Sequence, residues 1–154
     1  MRAAAAALAC LVAMLAAAAA DEPPLPEAAA ALDRIKTAST VELTTTGRKT
    51  GKEHSRPVWF VVEDGKVIVQ AGKDGKTDWY RNLEKTPTAI VRQGGYRFRV
   101  RAVMVADPER VAAVHKLFAA KYTTAWLLSF VGSSIGQGRP VELVPVAVSV
   151  RRAS

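Results

Sequence analysis

Residues 41–87 read VELTTTGRKTGKEHSRPVWFVVEDGKVIVQAGKDGKTDWYRNLEKTP, and their pattern decides the fold class. Apolar and polar side chains alternate with a period of two over Val41 to Thr46, Val58 to Glu63 and Val67 to Ala71, the spacing of strands with one buried face. Asp64-Gly65 separates the last two and supplies the positive φ angles that a two-residue hairpin needs. Asp78 to Lys85 then changes to helical spacing and stops before Pro87, because the residue preceding a proline is driven out of the helical region.

The same reading extends downstream. Ala89 to Arg92, Gly94-Gly95 and Tyr96 to Ala106 form a second hairpin, whose long strand puts Tyr96, Phe98, Val100, Ala102 and Met104 on a core face. Arg97, Arg99 and Arg101 fall on the other face, read as the solvated outside of the sheet and not as a nucleic-acid contact. Asp107-Pro108 starts a helix with an N-cap and a proline at the first helical position, and Val111, Val114, Phe118 and Tyr122 recur on its buried side. Trp126 to Val131 completes the core, forms a lid over an apolar substrate or offers a peripheral membrane contact. The last strand runs from about Val141 to Val150, with Pro145 marking an edge or a bulge. Six antiparallel strands with short helices and no βαβ alternation give a mainly β, α+β chain, a barrel or sandwich with helical additions.

Upstream, Met1-Arg2 and the apolar run from Ala3 to Ala20 match a secretory signal, with cleavage expected after Ala20 and the product exported to the periplasm or outside the cell. Residues 21–36 read as a tether and a short helix with Ala31, Leu32 and Ile35 on its apolar side, which leaves residues 37–154 as the folded domain. Cys10 is the only cysteine and lies in the signal, so no disulfide or thiolate metal site is expected after cleavage. The two histidines, His54 and His115, have no acidic or sulfur neighbour at ligand spacing, and no metal is expected. The formal charge of +8 should attract phosphates, acidic lipids or polyanionic cofactors, and basicity alone does not choose among them.

Chemistry concentrates in the turn from Thr44 to Lys52. Two glycines bracket basic and hydroxyl residues, so the backbone can turn and expose N–H groups while Arg48, Lys49, Thr50 and Lys52 supply donors for a phosphate or carboxylate. The glycine spacing is wrong for a Walker loop and no helix follows. A solvated hairpin turn is the competing reading of these residues.

The order of these segments resembles the deazaflavin-dependent nitroreductase and quinone-reductase family. The likeness rests on a Leu-Thr-Thr-Thr-Gly-Arg-Lys-Thr-Gly turn, a proline-initiated strand, an Asp-Gly hairpin and a Trp-Tyr-x-Asn-Leu helix. It implies a six-stranded split β-barrel and a hydride transfer from reduced 8-hydroxy-5-deazaflavin, coenzyme F-420, to a quinone, nitro or other lipophilic acceptor. It further implies that Lys49 and Thr50, with Arg48, Lys52 and His54 nearby, hold the anionic tail. Pro57, Lys73, Trp79 and Asn82 would approach the ring. Tyr122 is the candidate proton donor, weighed against a place in the core at its helix end. The alternative is an exported barrel without redox chemistry that carries a lipid, an ordinary flavin such as FMN, or haem.

Overall fold

The computed structural model describes residues 25–122 and 138–151, apart from the side chains of residues 73 and 74. The expected signal at 1–20, the start of the expected tether and the Trp126 to Val131 segment lie outside the described residues.

A helix, α1 (Pro26–Ile35), precedes β1 (Val41–Thr46), β2 (Glu53–Val58), β3 (Phe60–Glu63) and β4 (Lys66–Ala71). Two short helices follow, α2 (Gly72–Gly75) and α3 (Asp78–Lys85), and then β5 (Thr88–Gln93), β6 (Tyr96–Met104), α4 (Pro108–Lys121) and β7 (Arg139–Val150). The strands form one antiparallel sheet of seven in the order β2-β1-β5-β6-β7-β4-β3.

Seven strands replace the expected six because Glu53–Val58 forms a strand of its own. All of its residues are exposed except the half-buried Val58, so it carries no apolar alternation to read. It borders only β1, and Pro57 is tolerated on such an edge because one side of the strand has no ladder to feed. Consecutive strands β2 and β3 stand at opposite edges of the sheet and are linked by Trp59 alone. Three residues span at most about 7 Å, so the sheet must roll until its edges nearly meet. That is the split barrel.

The interior gathers Leu43, Phe60, Val69, Val91, Phe98, Val100 and Leu143, all fully buried. Helix α1 contributes Ala28, Ala31, Leu32 and Ile35 to this same core, so it is part of the barrel and not of a tether. Burying Leu32 completely stabilises by roughly 1.5–3 kcal/mol. A second cluster forms where α4 lays Val114 and Phe118 over Val61 and Ile68.

Local signals behave as expected. Asp64 and Gly65 adopt φ of 50° and 69°, and the Asp107 carboxylate accepts the Arg110 N–H at 2.8 Å to cap α4. Pro145 stands at a bulge: β6 residues Arg99 and Val100 pair with Ala147 and Pro145, leaving Val146 extra.

Candidate functional site

The basic turn is a closed loop between β1 and β2. The Gly47 N–H donates to the Lys52 carbonyl at 2.7 Å, and the Gly51 N–H donates to the Gly47 carbonyl at 2.8 Å. Gly51 takes φ of 69°, a left-handed conformation that glycine adopts freely. Gly47 is needed for a different reason. A Cβ there would stand 2.9 Å from both His54 Nε2 and Thr50 Oγ1, so its bareness lets those two side chains converge.

Helix α3 holds the loop in place. Asn82 is 3% exposed and its Oδ1 accepts from the Arg48 backbone N–H at 3.1 Å and from Arg48 Nη1 at 3.2 Å. Its amide donates to the buried Thr45 Oγ1 at 3.1 Å, and Lys85 Nζ donates to the Arg48 carbonyl at 2.7 Å. Arg48 also pairs with Asp78 at 3.1 Å, although the Asp78 side chain is 75% exposed, which leaves that pair weak.

Between loop and helix lies a groove of about 340 Å³. Arg48, Lys49, Thr50, His54, Trp79 and Asn82 all line it, as expected, and are joined by Thr45, Arg56 and Asp78. Arg48 is largely committed to Asp78 and Asn82. Lys49 and Arg56 have no ionic partner among the described residues. Asp78 is the single carboxylate in the lining and already faces Arg48, so the free donors favour an anion. Arg56 follows from β2 once that strand is known, because His54 and Arg56 lie two apart on one face.

Two expected members sit elsewhere. Lys52 does not line the groove. Pro57 is on the opposite face of β2 from His54 and Arg56, opposite Glu42 in a separate cleft. Lys73 stands in α2, directly after β4, and its side chain is outside the described residues.

Tyr122 is removed from the groove as well. Its ring stacks on Trp59 at 4.4 Å between centroids, and it is 6% exposed. The hydroxyl accepts from the Phe60 N–H at 2.9 Å and donates its one proton to the carbonyls of Ser39, at 2.8 Å, or Phe60, at 2.9 Å. Burial pushes the phenol up from its ordinary value, partly offset by the Phe60 backbone. A hydroxyl so engaged brackets backbone.

Next to it, burial pushes the Lys121 ammonium down to about 8. The Phe60 carbonyl at 2.8 Å and the Phe60 ring face at 3.6 Å act in the opposite sense, favouring the charge. Below pH 8 this lysine is protonated in both folded and unfolded chains. Between there and the ordinary lysine range the unfolded chain binds a proton that the folded chain does not, so stability rises with pH across that window. The melting temperature is expected to be higher at about pH 9.5 than at about pH 7.5, and Lys121→Met should abolish the increment. Thermal melts of both proteins check this, and an increment that survives in the variant would assign it to another group.

Residues 27–139 match the family profile of F-420H(2)-dependent quinone reductases. A putative F-420H(2)-dependent quinone reductase of Mycobacterium tuberculosis is 35% identical over 78 residues, 49% of this chain and 66% of that protein. The match thus spans just under two thirds of the curated relative. Among solved structures, a conserved hypothetical protein of Mycobacterium tuberculosis superposes with a TM-score of 0.64 at 20% identity, covering 84% of this chain and 88% of the other. An F-420-H2 dependent reductase superposes with a TM-score of 0.51 at 29% identity, covering 70% and 94%. The first likeness carries the fold. With the profile match across most of the chain, the rolled seven-stranded sheet and the anion-favouring groove fall into place together: the chain belongs to the F-420H(2)-dependent quinone reductase family.

Proposed function

We propose that the protein is an oxidoreductase that binds reduced coenzyme F-420 with its anionic tail in the groove between the basic turn and α3, and reduces a quinone or a similar lipophilic acceptor. The observation that carries this reading is the groove's charge: Lys49 and Arg56 stand without ionic partners while its one carboxylate, Asp78, is matched to Arg48. Thr50 supports it, since its oxygen accepts from the Lys52 N–H at 3.3 Å and its own proton is left to donate. Asn82 positions the loop. Trp79, 6% exposed at the groove wall, gives an apolar flank on which a ring can rest. When bound, the deazaflavin supplies the hydride; the chain's part is to grip the tail, fix the loop and shield one side from water. Tyr122, spent on backbone, stays outside this chemistry. No observation among the described residues favours FMN, haem or a lipid in the groove.

Replacing Lys49 and Arg56 together by Ala is expected to weaken binding of F-420 by roughly tenfold or more at low salt, through lost charge-assisted hydrogen bonds, and by less at high salt. Calorimetric titration at two ionic strengths, paired with spectroscopic oxidation of reduced F-420 by menadione, tests both halves of the reading. No binding by the parent protein would sink the cofactor assignment. Binding without menadione-dependent oxidation would sink the quinone.

The apolar run from Ala3 to Ala20 supports an exported product beginning at Asp21. Mass spectrometry of the cell-free fraction and of the cytoplasm decides this, and an intact Met1 on cytoplasmic protein would overturn it.

A further inference from the structure

One side chain in the basic groove has the wrong sign for an anionic ligand. Asp78 begins α3 and is the single carboxylate in a lining that holds Arg48, Lys49 and Arg56. Its Oδ1 accepts from Arg48 Nη1 at 3.1 Å, and Arg48 is its one ionic partner among the described residues.

The same nitrogen, Arg48 Nη1, also donates to Asn82 Oδ1 at 3.2 Å. The two acceptors differ in what holds them. Asn82 is 3% exposed and its amide is tied to the buried Thr45 hydroxyl, so it cannot turn away. The Asp78 side chain is 75% exposed, against 24% for its partner, and is free to swing into water. A pair of that kind is weak enough for a better placed anion to replace it. Asn82 then keeps the guanidinium in the groove wall.

Asp78 acts on an anionic tail in two ways of the same sign. It neutralises Arg48, which removes one guanidinium fork from the donors open to a phosphate or carboxylate. Its own charge also stands in the lining, and like charges brought together in a recognition site oppose binding. A purely structural role has the opposite consequence. A carboxylate in the first turn of a helix is stabilised by the helix N-terminus, and a tie between α3 and the loop would steady the site, so its loss would then weaken binding.

We propose that Asp78 is a specificity-determining residue of the groove: an internal counter-ion of Arg48 that the cofactor's tail displaces, and that biases the groove against tails of higher negative charge. The inference rests on the proposed binding of F-420 in this groove.

Asp78→Asn in the full chain, with F-420 titrated calorimetrically at low and at high salt, tests it. The amide keeps the shape of the side chain and removes its charge. F-420 is expected to bind the variant about three- to tenfold more tightly than the parent at low salt, with a smaller advantage at high salt. The gain should be larger for F-420 carrying a long glutamyl tail than for F-420 carrying a short one, because the carboxylate repels each added charge. In an Arg48→Ala background the same substitution should gain less, since the guanidinium it would free is missing. Thermal melts of Asp78→Asn, expected close to the parent's because the carboxylate is exposed, show that the variant is folded. Affinity equal to the parent's or below it would overturn the proposal and leave the pair as a structural tie. An equal gain for both tail lengths would overturn the charge bias, and an undiminished gain without Arg48 would overturn the counter-ion role. A parent that binds no F-420 overturns the cofactor reading and this inference with it, whereas a parent that binds while Asp78→Asn gains nothing overturns this inference alone.

Discussion

Asn82→Ala is expected to lower the unfolding free energy by about 2–3 kcal/mol, because truncation strands the buried Thr45 hydroxyl and the Arg48 N–H. The side chain makes three hydrogen bonds to residues 34 and 37 positions away in sequence, so nothing local replaces them. Affinity for F-420 should fall in the same variant by roughly tenfold or more, since the loop carrying Lys49 and Thr50 loses its anchor to α3. Asn82→Asp is the informative companion: it keeps the oxygen that faces Arg48 and loses the amide that Thr45 uses, so the loop should stay closer to its place. Chemical denaturation and calorimetric titration on both variants measure the two quantities separately. Lost affinity at full stability would return Asn82 to direct contact with the cofactor, and parent values of both would remove it from the site.

Phe60→Ala should be more damaging to the fold, by about 3–5 kcal/mol, the range for truncating a fully buried aromatic. Phe60 is 0% exposed and begins β3 immediately after the Trp59 link. Its backbone N–H and carbonyl both meet the Tyr122 hydroxyl, and its ring lies under Lys121. The cavity would therefore open where α4, the link and the barrel core meet. Equilibrium unfolding by denaturant gives the number. A loss below about 1 kcal/mol would mean that the neighbouring side chains collapse into the space, contrary to the close packing expected of a core.

What was legible in the residues followed from short-range physics. The Asp64-Gly65 hairpin, α3 and the Asp107 cap depend on neighbours within a few positions, and each appears where its local chemistry places it. The face assignments along β6 hold in part, with Phe98, Val100 and Ala102 buried and Arg97 and Arg99 exposed, while Arg101 is half-buried and not on a solvated face. β2 was not legible, because an edge strand with almost every side chain in water shows no alternation. With β2 unread, Arg56 could not be placed beside His54, nor Pro57 on the opposite face. Spacing alone correctly put Trp79 and Asn82 on one side of α3, and both line the groove. Spacing could not show that the amide is consumed by the loop, since its partners come from β1 and the turn beyond it. Tyr122 was open between core and chemistry for the same reason: Ser39 and Phe60 reach it only after the barrel closes.

The single-residue link at Trp59 sets the order in which this chain can become a protein. The β3-β4 hairpin pairs with no strand but β7, which follows the other described elements in sequence. Until residues 139–143 are available, that hairpin is joined to the β2-β1-β5-β6 half through Trp59 and residues 72–87 and shares no strand pairing with it. Val67, Val69 and their neighbours must wait for partners about seventy positions away, and loop closure over such a span is slow. Until β7 pairs, the sheet is an open ribbon whose β3-β4 interior face has no strand partner beyond its own hairpin. Closure awaits β7, so a chain truncated before it lacks the strand that joins the two halves of the sheet.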